Sequence, residues 1–223
     1  MFDRIAPRYD LLNRILSLSV DTLWRRKAIR RLGIKRGDSI LDVATGTGDL
    51  FMLALKRNRD CRIVGIDISS EMLHIASQKK VRGGYRGRYF LVAGDACGMP
   101  FGGHAFDHAM VAFGIRNMSD VEDLFKEARR ILKDGGKFAI LEFSIPEIHF
   151  IRKIYLIYLK KIIPLIGRLL SGRTGPYDYL MNSIMTFYKP EEIKEMLRGN
   201  SFAIIESSPL WFGICHLYVV EAV

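Results

Sequence analysis

Short apolar runs alternate with amphipathic stretches along most of this chain. Ser39–Val43 has the composition of a short buried strand, and a pattern of helical period opens at about Asp49 and runs to Arg57. Arg62–Ile66 predicts a second strand. It precedes a helix over Ser70–Lys79, with Ser69 or Ser70 as its N-cap and Glu71 in its first turn. Tyr89–Val92 is a third strand, ending at Asp95. Asp107–Phe113 is a fourth, followed by a helix from Ser119 to Leu132, capped by Ser119 and closed by Gly135-Gly136. Lys137–Glu142 is a fifth.

The two ends depart from this rhythm. The first 30 or so residues carry apolar positions at helical spacing: Ile5, Tyr9, Leu12, Ile15 and Leu16, then Leu23, Trp24 and Ile29. After the fifth strand, Ile148–Leu170 is a long apolar and basic helical stretch interrupted at Pro164. A helix over Pro190–Arg198 and two strands, Ala203–Ser207 and Gly213–Val220, complete the chain. Gly83–Arg88 is a loop by composition. Alternating strand and helix argues for an α/β fold, a doubly wound, mostly parallel sheet with helices on both faces. The whole is expected to form one domain over 1–223, with an N-terminal helical cap over 1–32 and a helical insert over 148–188.

The chemistry concentrates at the first bend, Leu41-Asp42-Val43-Ala44-Thr45-Gly46-Thr47-Gly48-Asp49, and at Asp67. Glycines at a strand-to-helix turn let the backbone approach a ligand and present amide groups at a helix N-terminus. An acid about 20 residues on, at the tip of the next strand, accepts both hydroxyls of a ribose. A dinucleotide fingerprint needs a small third residue for close helix–strand packing. Here that position is Phe51, which fits a pyrophosphate poorly. A ligand with adenosine on one side and an amino acid on the other fits better, and S-adenosylmethionine has that shape.

Composition narrows the class. At 223 residues, 49% hydrophobic and 26% charged, the chain suits one globular domain with a full core. Its three cysteines, Cys61, Cys97 and Cys215, form no C-x-x-C pair, so neither a disulfide framework nor a zinc site is expected. No metal spacing joins the five histidines, and no metal is expected. Met1-Phe2-Asp3-Arg4 leads into mixed polar sequence, and the expected location is the cytoplasm. The formal charge of +10 favours an anionic partner surface, nucleic acid or membrane, unless it is only a solvated basic face. Phe150–Leu170 is broken by Arg152, Lys153, Lys160, Lys161 and Arg168. It therefore cannot span a bilayer but can lie on anionic lipid.

In open α/β sheets, ligands sit outside the carboxyl ends of the strands. Thr47 can bond a cofactor through its hydroxyl or backbone, or satisfy the turn. Asp67 is assigned to ribose in preference to helix capping. Asp95 with the Ala96 amide can read the amine and ring nitrogen of adenine, or Asp95 can form an Asx-turn. Arg116, beside Gly114 and Asn117, is expected to point into the cleft mouth, the alternative being a surface ion pair.

These residues carry a pattern that resembles the C-methyltransferases of menaquinone and ubiquinone biosynthesis, a class I S-adenosylmethionine-dependent family. The resemblance runs almost end to end. It includes Arg8-Tyr9-Asp10-Leu11-Leu12-Asn13, Trp24-Arg25-Arg26, Gly46-Thr47-Gly48-Asp49, Gly65-Ile66-Asp67-Ile68-Ser69, Phe113-Gly114-Ile115-Arg116-Asn117, Leu141-Glu142-Phe143-Ser144 and Tyr179-Leu180-Met181-Asn182. Ala44 also fits the resemblance, since most class I methyltransferases place glycine there and this family often does not. The resemblance implies a seven-stranded sheet with an antiparallel last strand. It implies cofactor contacts from Gly46, Thr47, Gly48, Asp67, Asp95, Ala96 and the backbone near Ala112. It places Arg116 and Asn117 as catalytic residues facing a prenylated quinol, with substrate contacts from Tyr9, Tyr177 and Phe187. Three departures lie on the substrate side. Phe187-Tyr188 stands where the family tends to have Phe-Pro, Ser19-Val20-Asp21 lacks the usual glycine, and a histidine common near the last strand is replaced around Tyr218.

The expected reaction is transfer of a methyl group to a ring carbon of demethylmenaquinol. A phenolate pushes electron density onto the ortho carbon, and a nearby cation stabilises it. Arg116 is assigned that task and Asn117 orients a hydroxyl. Arginine stays protonated, so a water or an acid such as Glu142 takes the proton. Ile154, Tyr155, Ile157, Tyr158, Ile162 and Ile163, with Tyr177, Tyr179 and Phe187, can wall the isoprenoid tail or simply pack the core. Expected partners are the quinol, an anionic membrane at the inner face of the cell, and a second copy of the chain. Nucleic acid is not expected. An amino-methylating nucleic-acid enzyme would carry N/D-P-P-Y/F after the fourth strand, where this chain has Phe113-Gly114-Ile115-Arg116. The competing readings are a methyltransferase acting on another small molecule or on RNA, and a non-catalytic cofactor-binding subunit.

Overall fold

The computed structural model describes residues 14, 17, 20–57, 60–79, 88–165 and 175–223, with 175–178 as backbone only. Seven strands form one sheet: β1 Ser39–Val43, β2 Arg62–Asp67, β3 Tyr89–Ala93, β4 Phe106–Ala112, β5 Leu132–Phe143, β6 Phe202–Leu210 and β7 Cys215–Ala222. Their order is β3-β2-β1-β4-β5-β7-β6. Neighbours are parallel from β3 to β5, and β7 runs antiparallel to both β5 and β6. The order reverses direction at β1 and β4, whose carboxyl ends therefore splay apart into a crevice.

The helices are α1 Asp21–Leu32, α2 Asp49–Arg57, α3 Ser70–Lys79, α4 Val121–Ile131, α5 His149–Ile157, α6 Gly175–Thr186 and α7 Pro190–Gly199. Two apolar layers sandwich the sheet. Trp24 and Ile29 of α1, Phe51 and Leu55 of α2, and Tyr155, Leu180 and Ile184 of the insert meet Met110, Leu141 and Leu217 on one face. Leu124, Phe125 and Ala128 of α4, with Ile193 and Leu197 of α7, meet Val43, Val111 and Ile140 on the other. A side chain such as Phe125, fully buried, contributes about 1.5–3 kcal/mol.

Local details correct several expectations. The cap of α4 is Asp120, not Ser119: its carboxylate accepts the amides of Glu122 and Asp123. Gly135-Gly136 does not close that helix but lies inside β5, where the ladder is irregular. A β-carbon on Gly136 would stand 2.7 Å from the Lys133 carbonyl, so only glycine allows the kink. Leu23 is exposed, and Trp24, Ala28, Ile29 and Leu32 form the buried stripe of α1. Pro164 lies near the end of the described part of the insert, which is helical as far as Leu165, and residues 166–174 lie outside the described residues. A π-turn over Tyr158–Ile162 widens the helix just ahead of it, and such a turn accommodates the missing amide and the ring. Ser69 is the cap of α3, its hydroxyl accepting the Met72 amide at 3.2 Å.

Candidate functional site

The bend after β1 is built by backbone geometry that most residues resist. Ala44, Gly46 and Gly48 have φ of 49°, 56° and 85°. At Gly48 a β-carbon would fall 2.2 Å from Phe51 Cε1. The Phe51 ring, stacked on Tyr89 at 5.1 Å, thus fills the space under the turn. The chain leaves β4 in the same way, with Phe113 at φ 61°.

Between these two ends lies a cleft of about 280 Å³ lined by Ala44, Gly46, Ile66, Asp67, Ile68, Met72, Gly94, Asp95, Ala96, Gly114, Asn117, Met118 and Ser119. Asp67 Oδ2 accepts the Gly46 amide at 2.7 Å and Oδ1 accepts the Ser69 amide at 2.9 Å. These two bonds aim the Asp67 carboxylate at the turn. Asp95 forms the Asx-turn considered above: Oδ1 accepts the Cys97 amide at 2.9 Å. Its other oxygen, and the Ala96 amide beside it, have no partner among the described residues. Ile68, 72% exposed, forms an apolar lip next to Asp67. A flat heteroaromatic base between Ile68, Met72 and Met118, with a polar edge toward Asp95 and Ala96 and a diol toward Asp67, matches this donor and acceptor set.

A second, polar pocket of about 20 Å³ adjoins the first, sharing Ala44 and Gly46, and is lined also by Arg25, Asp42, Thr45, Thr47, Asp49, Leu50 and Ala112. Thr47 is buried, and its hydroxyl accepts a hydrogen from Lys79 Nζ at 3.0 Å. Lys79 also pairs with Asp49 at 2.7 Å. Asp42 is buried and bonded by the Thr45 hydroxyl at 2.6 Å. Burial pushes its carboxyl up to about 7, against the Thr45 hydrogen bond and the Arg25 charge.

At the far end of the cleft a 3₁₀ turn over Ile115–Asn117 carries Arg116 and Asn117. The Tyr179 hydroxyl donates to Asn117 Oδ1 at 3.1 Å, which leaves the Asn117 amide hydrogens toward the cleft. The Arg116 guanidinium turns inward. Arg116 Nη1 donates to Glu142 Oε1 and to the Phe113 carbonyl, both at 2.7 Å, and the side chains of Arg116 and Glu142 are each 2% exposed.

The description of the ubiE/COQ5 methyltransferase family fits residues 1–220 of this sequence. The chain belongs to that family. It is 39% identical over 224 residues to the demethylmenaquinone methyltransferase of Thermotoga maritima, covering 100% of this chain and 95% of that protein. It is 40% identical over 222 residues to the ubiquinone/menaquinone biosynthesis C-methyltransferase UbiE of Geotalea uraniireducens, covering 99% and 94%. Among solved structures, it resembles a SAM-dependent methyltransferase from Aquifex aeolicus, with a TM-score of 0.67, 18% identity and coverage of 95% and 98%. It also resembles the [4+2]-cyclase SpnF, at 0.70, 18%, 90% and 81%. Likeness to the cyclase shows how far the fold alone travels from any one reaction.

In this ubiE/COQ5 methyltransferase, Gly46, Asp67, Asp95, Ala96 and Asn117 converge on the main cleft, while Thr47 and Ala112 line the polar pocket. Gly48 lines neither and serves the turn. Arg116 departs from its expected place at the cleft mouth: Glu142 and the Phe113 carbonyl draw it beneath the 3₁₀ turn. Phe187 packs against the α4/α7 layer and Tyr188, not among the residues lining the cleft. Tyr9, and the side chain of Tyr177, lie outside the described residues. The expected tail wall divides: Tyr155 and Ile163 are core, while Ile154, Ile157 and Ile162 face outward. Sequence reasoning missed Lys79, Arg25 and Asp42 as neighbours of the turn. Asp42 alone left a signal, an acid inside an otherwise apolar strand.

Proposed function

We propose that this methyltransferase transfers the methyl group of S-adenosylmethionine to a ring carbon of a prenylated quinol, with demethylmenaquinol as the acceptor. The observation that carries this reading is the convergence of Asp67, Asp95, Ala96 and Asn117 on one cleft at the carboxyl ends of β1, β2, β3 and β4. The names of the full-length relatives support the quinone acceptor over RNA. When bound, the cofactor supplies an electrophilic methyl group on a sulfonium.

The residues of the chain then divide the work. Asp67 bonds the ribose hydroxyls, and Asp95 Oδ2 with the Ala96 amide holds the adenine edge. Asn117, oriented by Tyr179, donates to a quinol oxygen and fixes the ring for in-line attack. Alignment of two reactants accounts for up to about 7–11 kcal/mol of a barrier. Arg116 supports a developing phenolate through the base of the 3₁₀ turn. Its charge is shared with Glu142, so its effect is that of a paired dipole.

The location belongs to the same proposal: the cytoplasm, peripheral to the inner face of the cell membrane. Phe150, Ile154, Ile157, Ile162 and Leu165 are exposed along the insert. The step of five from Ile157 to Ile162 spans the π-turn and keeps them on one face. Arg152, Lys153, Lys160 and Lys161 are exposed on the same insert, and no acid lies between 148 and 165. A cation near anionic lipid contributes about 1 kcal/mol.

The test is turnover. Purified protein given S-adenosylmethionine and a short-chain demethylmenaquinol should form the ring-methylated quinol. Binding of the cofactor without methyl transfer would favour a non-catalytic subunit, and transfer to RNA alone would favour the nucleic-acid reading.

A further inference from the structure

Two tyrosines of the insert approach the 3₁₀ turn that carries Arg116 and Asn117. Tyr179, on α6, donates to Asn117 Oδ1 at 3.1 Å. Tyr155, on α5, lies between Ile154 and Ile157, which face outward, and is itself 3% exposed. Its side chain therefore runs from the insert into the molecule. The ring stacks on Tyr158 at 6.5 Å and belongs to the apolar layer that holds Phe113, Phe143 and Leu180. The hydroxyl is buried and meets no hydrogen-bond partner among the described residues. Phenylalanine would fill the same space without the cost of an unbonded hydroxyl.

The surroundings of that hydroxyl indicate what meets it. The charges that act on it include those of Arg116 and Glu142. Arg116 Nη1 is held by Glu142 and the Phe113 carbonyl, and its guanidinium carbon stands 5.4 Å from the centre of the Phe143 ring. Asn117, the next residue of the turn, lines the main cleft. Tyr155 thus serves the buried side of the turn, and Asn117 its open side. Burial holds the Tyr155 phenol above its ordinary range, so it stays protonated and can donate. A para-quinol carries its oxygens on opposite edges of the ring, and one ring can meet donors from two sides.

We propose that the Tyr155 hydroxyl donates a hydrogen bond to the acceptor quinol, at the ring oxygen opposite the one held by Asn117. This rests on the quinol reading above and adds a second point of attachment, supplied by α5. One donor leaves the ring free to turn in its own plane. Two donors on opposite oxygens stop that rotation and select the ring carbon that faces the methyl group.

The probes are a short-chain 2-prenyl-1,4-naphthoquinol, kept reduced, and the naphthols that each lack one of its oxygens, 2-prenyl-1-naphthol and 3-prenyl-1-naphthol. Each is titrated into protein loaded with S-adenosylhomocysteine. The wild-type protein should prefer the quinol to either naphthol by about 2- to 10-fold, the range of one neutral hydrogen bond. Tyr155→Phe should abolish the preference over one naphthol and keep it over the other, with the affinity for S-adenosylhomocysteine within about twofold of wild type. The variant also removes a buried hydroxyl that is unbonded in the protein alone, so its Tm should rise by about 2–4 °C. A Tyr155→Phe protein that keeps both preferences overturns the proposal. So does a fall in Tm, the mark of a hydroxyl bonded within the fold through a structural water. If the wild-type protein binds S-adenosylhomocysteine but none of the ring compounds, the quinol reading falls first and this contact falls with it.

Discussion

Ala44 leaves room only for glycine at position 114: a β-carbon on Gly114 would stand 2.9 Å from Ala44 Cβ and 3.2 Å from Val111 Cγ2. Each residue thereby explains the other. Ala44 holds φ 49°, a conformation glycine would adopt without strain, and glycine appears opposite it instead. Gly114→Ala should cost about 1–3 kcal/mol of stability and weaken cofactor binding, because both residues line the cleft. Ala44→Gly alone should be nearly neutral, relief of strain offsetting backbone entropy. The double variant should recover much of the loss. Melting temperatures of the four proteins check this, and strictly additive effects would contradict it.

The buried Arg116–Glu142 pair behaves as a unit. Glu142→Gln leaves a charged guanidinium uncompensated in the interior and should destabilise the protein by about 3–5 kcal/mol, a fall in Tm on the order of 10 °C. Arg116→Met with Glu142→Leu should be less destabilising than either single change. Turnover should be lost in Glu142→Gln and in the double variant, while the affinity for S-adenosylhomocysteine changes only a few-fold. Equal loss of cofactor binding would show that the pair supports the cofactor cleft and not the quinol side.

Asp42 predicts a pH dependence. Its carboxyl, at 3.8 in the unfolded chain, is raised to about 7 in the folded protein by burial. Between those values the folded state keeps a proton that the unfolded chain releases. The stability contributed by this residue is therefore complete below pH of about 4 and is lost as pH rises through about 7. Compared with Asp42→Asn, the wild-type protein should lose stability as pH climbs over that window. Denaturant midpoints measured from pH 4 to 8 read the difference directly, and parallel curves would be inconsistent with a protonated Asp42.

The exposed stripe of the insert gives a membrane prediction. Ile154→Glu with Ile157→Glu places charge at positions already in water, so the fold should be kept. Sedimentation with vesicles containing anionic lipid should fall about tenfold. Unchanged sedimentation would remove this face from the account.

The strand–helix rhythm was legible because each apolar run stood between polar breaks. β1, α2 and α3 match their predicted limits residue for residue. Ser119 and Asp120 are adjacent capping residues, and local chemistry alone does not choose between them. Gly135-Gly136 misled because a kink inside a strand and a loop between elements have the same composition. In the site, Gly46, Asp67, Asp95 and Ala96 were readable because the ends of parallel strands are fixed by the fold. Arg116 was not: its direction depends on Glu142, 26 residues away on another strand. Arg25 and Lys79 reach the turn from separate helices, and only tertiary packing brings them there.

The most direct measurement is a crystal structure of the protein with S-adenosylhomocysteine. The account predicts both ribose hydroxyls within hydrogen-bonding distance of the Asp67 carboxylate, with the base between Ile68 and Met118. Nucleoside density anywhere else, or a carboxylate at position 67 rotated off the sugar, would contradict it.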